Sequence, residues 1–312
     1  MIQTKGRILF KDVMIKNTPQ VSIGMPVYNG DKFLEETLDS ILAQTFQDFE
    51  LIISDNASTD RTEQICQAYM AKDHRIRYYR NEKNLGAAWN YNRVFELSVG
   101  KYFKWAAADD LCAPKFLHLC VDILDRYPQV VVCYSKTKII NEYGAIIKDY
   151  HDGLNLQDEK PRERFIKLIH SIRMCNAVFG LMRSSVLEKT PLIGNYISSD
   201  SCLMAELCLY GKFFEIPEKI FFRRSHPGAS SYDRSTDRQL EFFDPKMKGK
   251  IVLPWCRRRF ENFLSVKRAQ IRMREKIFLF GFLMIKTLHW YKLYASELMA
   301  ATKQLLCRYR IF

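Results

Sequence analysis

The chain lacks the cysteine patterns that hold a metal ion or a disulfide framework. Its nine cysteines are scattered over 312 residues, with no C-x-x-C pair and no His/Cys spacing typical of zinc ligands. Scattered cysteines of this kind usually serve as small apolar residues in proteins of a reducing compartment. We therefore predict a cytoplasmic protein without structural disulfides or zinc.

Long hydrophobic runs are also missing. The stretch at residues 277–285 has nine consecutive uncharged residues, whereas a membrane-spanning helix needs about 20. Residues 1–20 alternate lysines with short apolar runs and lack the continuous apolar segment and cleavage site of a secretory signal. We expect neither a spanning helix nor a secretory signal, and we treat residues 1–20 as an N-terminal extension.

Glycine-rich phosphate-binding loops are absent as well. No G-x-G-x-x-G follows the first predicted strand, and no G-x-x-x-x-G-K-[ST] occurs in the chain. This disfavours both dinucleotide-binding and P-loop sites. A nucleotide bound without such a loop needs another contact for its diphosphate, and a metal ion held by carboxylates is a natural candidate.

Positive charge is in excess, but only at one end. The formal net charge is +13, and residues 246–312 contain 16 Lys and Arg against 3 acidic residues, which accounts for all of it. This basic tail mixes its cations with aromatic and aliphatic residues, as an interfacial helix does. Packing as a C-terminal helical cap and nucleic-acid binding are the alternatives. We expect an amphipathic helical tail at the inner face of the cell membrane, and no nucleic-acid partner.

Short apolar runs alternate with helix-period stretches through the first part of the chain. The runs lie at residues 21–25, 49–54, 75–80, 102–107 and 130–134, and the helical patterns at 31–43, 62–70, 87–97 and 114–126. This alternation predicts βαβ units and a mostly parallel, Rossmann-like sheet flanked by helices. We expect a nucleotide-binding half at residues 21–135 and an acceptor-binding, catalytic half at residues 136–245.

Polar motifs stand where these strands end. Asp109 and Asp110 close the apolar run at residues 102–108, at the edge where open α/β sheets bind ligands. Paired carboxylates there are typical of a Mg²⁺ site, although Asp110 could instead cap the helix that begins near Pro114. Similar polar clusters follow the first three strands, at residues 26–30, 55–60 and 81–86.

Together these motifs resemble those of family 2 glycosyltransferases, which have the GT-A fold. The resemblance covers roughly residues 20–232 and rests on segments 21–29, 55–60, 84–86, 108–110, 198–200 and 223–230. It implies an inverting, metal-dependent enzyme that moves a sugar from a nucleoside diphosphate sugar, most simply a UDP-sugar. The implied acceptor is a glycan or a lipid-linked molecule in surface polysaccharide synthesis.

The resemblance also implies roles for individual residues. The nucleotide and its sugar would contact Pro26, Tyr28, Asn29, Asp55, Asn84, Gly86 and Asp109. Among these, Asp55 is placed to accept a hydrogen bond from a pyrimidine N3–H. Asp109 takes the metal-ligand position of the Asp-x-Asp motif, and Mg²⁺ or Mn²⁺ would be its ion, with Asp110 or water assisting. The usual earlier carboxylate is replaced by Ala107.

The remaining implied residues serve the chemical step. Asp200 would be the general base, although an aspartate before a helix is also a natural N-cap. Arg223, Arg224 and His226 would face the leaving diphosphate, with His226 also at the metal, on a loop at residues 225–232 that could close as a lid. Two alternatives stay open: a non-catalytic nucleotide-sugar or membrane module, because of Ala107, and a sugar nucleotidyltransferase.

Overall fold

The computed structural model describes residues 18–229, 232 and 235–309. Most of the predicted N-terminal extension, residues 1–17, and part of the predicted lid loop, residues 230 and 231, lie outside the described residues.

Four parallel strands form the N-terminal half of the sheet. They are β1 (Val21–Val27), β2 (Phe49–Asp55), β3 (Ile76–Arg80) and β4 (Tyr102–Trp105), in the spatial order β3-β2-β1-β4. Every residue of β1, β2 and β4 is buried, as expected for strands covered by helices on both faces. The predicted α/β fold with a mostly parallel sheet is therefore confirmed.

The helices of this half follow the predicted pattern. They are α1 (Asp31–Leu42), α2 (Thr62–Lys72), α3 (Ala87–Glu96) and α4 (Phe116–Arg126), the last of which follows the two-residue strand β5 (Leu111–Cys112). α3 crosses β1 so closely that a Cβ at Gly24 would lie 2.6 Å from Val94 Cγ2. A residue without a side chain at position 24 thus allows this helix to reach the sheet.

The second half extends the same sheet with strands of mixed direction. β6 (Val130–Ile140), β7 (Ile146–Tyr150), β8 (Leu181–Arg183) and β9 (Lys212–Arg224) complete nine strands within the described residues. β8 lies antiparallel between β4 and β6, and β9 runs parallel to β6. β9 has a register shift at Pro217, which lacks the N–H that a regular ladder requires.

The second half and the tail supply the remaining helices of the described residues. They are α5 (Pro161–Ser171), α6 (Ser184–Leu187), α7 (Ser199–Tyr210), α8 (Thr236–Phe243), α9 (Pro254–Arg268), α10 (Met273–His289) and α11 (Tyr291–Tyr309), with 3₁₀ turns at Asn176–Phe179 and Pro245–Met247. α7 is buried on nearly all sides and contacts α5 and α9. Its Glu206 is buried and accepts from Arg268 Nη2 at 2.6 Å. This ion pair fixes the first tail helix to the core.

The two last helices are attached through one face only. Leu279 and Leu283 of α10 are fully buried and belong to the core that contains α5 and α7. The Glu297 carboxylate of α11 accepts from the backbone N–H groups of Trp255 and Cys256, at 2.9 Å each, and so satisfies donors at the start of α9. Within the described residues, no helix is long and apolar enough to cross a membrane.

Candidate active site

A cleft of about 940 Å³ opens at the carboxyl edge of β1 and β4. This volume falls within the range of small-molecule sites. Of the predicted residues, those in its lining are Pro26, Tyr28, Asn29, Asn84, Asp109, Asp110, Arg223, Arg224 and His226. Three predicted residues are not in the lining that the described residues form: Asp55, Gly86 and Asp200. The structure therefore brings most of the predicted site together from segments up to about 200 positions apart.

Asp109 and His226 form the most direct contact in the cleft. Asp109 Oδ2 and His226 Nε2 are 2.8 Å apart, and the backbone N–H of Gly228 donates to His226 Nδ1 at 3.2 Å. With Nδ1 accepting, the neutral ring donates its Nε2 proton to Asp109. A metal ion bound at Nε2 would require the ring proton on Nδ1 instead, and the Gly228 N–H contact would then be lost. Phe33 packs against the imidazole with ring centroids 4.6 Å apart, which fixes its orientation.

Asp110 lies deeper and faces the protein as well as the cleft. Its Oδ1 accepts from the backbone N–H of Arg224 at 2.8 Å. Burial, followed by the nearby Asp109 charge, raises the pKa of Asp110 to about 7. Asp110 thus links the strand end after β4 to the end of β9. Asp110 does not cap the following helix. That helix begins at Phe116, and its Ncap residue is Lys115, with no side-chain cap bond.

The two arginines at the end of β9 differ in their surroundings. Arg224 is almost fully buried, and its guanidinium donates to the Asp109 carbonyl at 2.9 Å and to Glu36 Oε2 at 2.6 Å while stacking on Phe33. Arg223 is partly exposed in the cleft and donates to the Met174 carbonyl and to Asn176 Oδ1. Arg224 therefore positions the Asp109 loop, whereas Arg223 is the cation with access to a bound ligand.

Asp55 is buried behind the cleft. Its Oδ1 accepts from the Ser58 N–H at 2.8 Å, and its Oδ2 accepts from the Tyr78 hydroxyl at 2.7 Å and from Arg80 Nη1 at 3.1 Å. With no exposed surface, the carboxylate is occupied by protein donors. It shapes the loop after β2 that stands beside Asn29 and Tyr28.

Asn84 and Gly86 build the turn between β3 and α3. Asn84 Oδ1 accepts from Asn56 Nδ2 at 2.7 Å and from the Gly86 N–H at 2.8 Å. Gly86 has φ +86°, and a Cβ there would lie 2.4 Å from the Phe243 carbonyl oxygen at the end of α8. Glycine is needed at this position for both the left-handed backbone and the close contact.

Asp200 lies in the first turn of α7. Its Oδ1 accepts from the N–H of the next residue, Ser201, at 2.7 Å, so it is not the N-cap, a position taken by Ser198 with φ +66°. Burial raises the pKa of the Asp200 carboxyl, and the charges of Arg258 and Arg223 oppose this rise. Arg223 also acts on Asp110, which connects Asp200 electrostatically to the cleft.

Tyr91 is a cleft residue that the sequence did not single out. It lies on α3, lines the cleft, and its ring packs against Trp105, whose Nε1 donates to the Tyr91 carbonyl at 2.9 Å. Burial and the charges of Asp109, Asp110 and Asp200 raise the pKa of its phenol, which is therefore neutral and able to donate. A helical pattern alone cannot show whether such an aromatic faces the core or a ligand.

Residues of α8 also enter the cleft. Arg238, Glu241 and Phe242 line it, and Arg238 Nη2 donates to the Pro227 carbonyl at 3.0 Å. This short helix closes the side opposite the sheet. Residues 236–243 carry no motif, so their position in the cleft could not be predicted from the sequence.

The side chains present fit a divalent ion whose remaining ligands come from the substrate and water. Asp109 Oδ2 and His226 Nε2, at 2.8 Å, are close to the separation of about 3.0 Å that adjacent ligands of an octahedral ion have when its bonds are about 2.1 Å. Within the described residues, no group of three or more His, Cys, Asp or Glu side chains is arranged to hold a metal. The remaining ligands would have to come from phosphate and water oxygens, which is how Mg²⁺ is commonly bound.

Comparison with known proteins identifies relatives of this chain. The family model described as glycosyl transferase family 2 matches residues 22–190. An uncharacterized glycosyltransferase of Methanocaldococcus jannaschii is 34% identical over 218 residues, which cover 69% of this chain and 73% of that protein. Chondroitin synthase of Escherichia coli is 29% identical over 227 residues, covering 73% of this chain but only 32% of the synthase.

Solved structures share the fold at low sequence identity. The crystal structure of S. aureus TarS 1-349 in complex with UDP-GlcNAc has a TM-score of 0.62 and 17% identity, covering 82% of this chain and 69% of that one. The mannosyltransferase PcManGT of Pyrobaculum calidifontis, in complex with GDP-Man and Mn²⁺, has a TM-score of 0.52 and 15% identity, with 97% and 95% covered. These similarities show a common fold.

Proposed function

Since this chain belongs to glycosyl transferase family 2, we propose that it transfers a sugar, with inversion, from a nucleoside diphosphate sugar to the hydroxyl of a glycan or lipid-linked acceptor. The observation that carries the proposal is the Asp109–His226 pair within a cleft of about 940 Å³ at the carboxyl edge of the parallel strands. A non-catalytic binding module would not require a carboxylate and an imidazole in contact inside its cleft.

The nucleoside would occupy the side of the cleft formed by the loop after β1. There Tyr28 presents a ring that is 49% exposed, beside Pro26 and Asn29. An exposed aromatic ring offers a planar base a stacking surface. Two solved structures with this fold are complexes with UDP-GlcNAc and with GDP-Man. We propose UDP as the donor nucleotide, and we assign Asp55 to positioning this loop, since its own oxygens are bound by Ser58, Tyr78 and Arg80.

The diphosphate would lie against Asp109, His226 and Arg223. When bound at Asp109 and His226, Mg²⁺ or Mn²⁺ supplies positive charge that stabilises the leaving diphosphate. Arg223 adds a fixed cation, held by the Met174 carbonyl and Asn176. Asp110 and Arg224 keep the Asp109 loop in place through the 2.8 Å and 2.9 Å contacts between the two strand ends.

Asp200 would act as the general base. As the acceptor oxygen forms its bond to the anomeric carbon, the bond from that carbon to the diphosphate oxygen breaks, and Asp200 takes the hydroxyl proton. Its raised pKa gives the carboxylate a greater affinity for that proton. Asp200 lies outside the lining that the described residues form, but the charge of Arg223, a lining residue, acts on its carboxyl. We propose that the acceptor hydroxyl approaches Asp200 from the Arg223 side of the cleft.

For the acceptor, we propose a growing surface glycan made at the cytoplasmic face of the membrane. The name of one relative, chondroitin synthase, supports polysaccharide synthesis. The basic tail at residues 246–312 supports a membrane location, because anionic lipids attract such a segment.

The test is donor hydrolysis by the purified full chain with a panel of UDP-, TDP- and GDP-sugars and Mn²⁺. We expect slow release of nucleoside diphosphate from one donor, and loss of that release in Asp109→Ala. Asp122→Ala, on the outer side of α4, is the matched control and should retain it. Binding of a donor without turnover in any acceptor mixture would favour the non-catalytic module, and release of inorganic pyrophosphate from a nucleoside triphosphate would favour the nucleotidyltransferase.

A further inference from the structure

The outward side of α10 is apolar although its inward side already fills the core. Met273, Ile277, Met284 and Leu288 recur at helical spacing on the outward side, and Ile277 and Leu288 are 66% and 67% exposed. The inward residues Leu279 and Leu283 are fully buried. A helix that only capped the core would be polar on its outward side. The outward side of α10 therefore has a second apolar surface that the described fold leaves exposed.

The next helix continues this surface. On α11, Leu298, Met299, Leu305 and Leu306 are exposed, with Met299 at 66%. The inward side of α11 is fixed to α9 through Glu297 and through a 2.9 Å hydrogen bond from Arg259 Nε to the Tyr294 hydroxyl. We call the exposed residues Met273, Ile277, Phe278, Met284, Ile285, Leu288, Trp290, Tyr291, Leu298, Met299, Leu305 and Leu306 the outer apolar face.

The charge around this face has one sign. Two of the three acidic residues of the tail, Glu261 and Glu275, are buried, and the partly buried Glu297 is bonded to the start of α9. Exposed lysines and arginines remain, among them Arg274, Lys292 and Lys303. The tail therefore presents apolar side chains bordered almost entirely by cations.

We propose that the outer apolar face lies on an anionic lipid bilayer, with α10 and α11 in the plane of the membrane surface. Apolar residues bordered by Lys and Arg are the composition of helices that bind at the lipid headgroups. Trp290 and Tyr291, both about half exposed at the junction of the two helices, are residues that favour this interface. A second copy of the chain is a poorer occupant, because pairing two such faces would bring like charges together.

This inference goes beyond the donor chemistry, and it gives the tail two contact surfaces, one with the core and one with the membrane. Deleting residues 246–312 would remove Arg268 from the buried Glu206 and expose the packing surface of α7. A clean test must change only outward side chains.

The experiment is co-sedimentation of the full chain with vesicles of phosphatidylcholine alone and with added phosphatidylglycerol. We expect binding to the anionic vesicles that weakens with salt. Ile277→Glu/Ile285→Glu should lower the partition coefficient at least about tenfold, since two apolar side chains then no longer leave water. The matched control, Ile146→Glu/Ile147→Glu on the exposed β7, should bind like the parent chain. Circular dichroism shows whether each variant is folded.

Several results would overturn the inference. They are equal sedimentation with neutral and anionic vesicles, no sedimentation with either, or undiminished binding by the folded Ile277→Glu/Ile285→Glu variant. A parent chain that is dimeric in solution, with a monomeric variant, would show that the face joins two copies. Donor hydrolysis measured without vesicles on the same samples is independent of this face, so loss of membrane binding and loss of the proposed enzymatic function can be told apart.

Discussion

Asp109 and His226 are 117 positions apart in the sequence, and their side chains meet at 2.8 Å. The contact joins the end of β4 to the loop after β9. It is supported on one side by the Gly228 N–H and on the other by Arg224, whose guanidinium holds the Asp109 carbonyl at 2.9 Å. We propose that this carboxylate and this imidazole contribute two ligands of the donor's metal ion.

Metal affinity should depend on both members of this pair. We expect Asp109→Asn and His226→Gln each to weaken Mn²⁺ binding in the presence of UDP by at least about tenfold, because each removes a ligand or its partner. Isothermal titration calorimetry measures this directly. His118→Gln, on α4, is the control and should bind Mn²⁺ like the parent chain. If His226→Gln has unchanged affinity, the metal is held elsewhere.

The pH dependence of turnover should report Asp200. Burial raises the pKa of its carboxyl above the ordinary 3.8, and a base must be ionised to accept a proton. The rate should therefore fall as the pH decreases through this raised pKa, at a higher pH than for an ordinary aspartate. In Asp200→Asn we expect kcat to fall about 10²- to 10⁴-fold and the acidic limb to disappear.

The control for Asp200 is Glu163→Gln, which changes another acidic residue in the first turn of a helix. It should keep both the rate and its pH profile. An Asp200→Asn enzyme with a normal kcat would assign the base to another residue.

Tyr91 should affect catalysis more than folding. Tyr91→Phe keeps the ring contact with Trp105 but removes a hydroxyl that faces the charges of Asp109, Asp110 and Asp200. We expect kcat/KM for the donor to fall by about tenfold, the effect of one neutral hydrogen bond, with little change in melting temperature. Tyr69→Phe, on α2, is the control. An equal loss of melting temperature in Tyr91→Phe and an unchanged kcat/KM would make the residue structural only.

The free energy of unfolding should decrease as the pH rises, because of Asp152. This buried carboxyl accepts from the Asn176 N–H at 3.1 Å through Oδ1, and Oδ2 has no partner within the described residues. Burial raises its pKa from 3.8 to about 6. A raised carboxyl pKa contributes stability that is fully present below pH 3.8 and is lost as the pH rises through 6.

From pH 5 to pH 8 we expect Asp152 to account for a loss of about 1.5 kcal/mol in the free energy of unfolding. Asp152→Asn should remove this part of the slope in urea titrations at the two pH values, because the amide oxygen can still accept from Asn176. A variant with the same pH slope as the parent chain would show that Asp152 is not the source.

Much of the nucleotide-binding half was predictable because its signals are local. The runs that form β1 and β2 are mostly apolar, and turn residues such as Asn29 and Gly30 follow the first of them. The second half was less predictable. β8 has only three residues, and β7 is exposed along most of its length, so neither carries the continuous apolar pattern that marks a buried strand.

The sequence by itself determined which runs are buried strands, which loops follow them, and which polar residues lie in those loops. It also determined that the positive charge is confined to the tail. Only the tertiary structure decided which partners surround each of these side chains. Asp55 and Arg224 carry the same motif signal as Asp109 and Arg223, yet protein donors and acceptors occupy the first two, and the cleft exposes the others. The reason is physical: periodicity reports which face of an element is buried, whereas the partner of a polar group comes from segments distant in the chain.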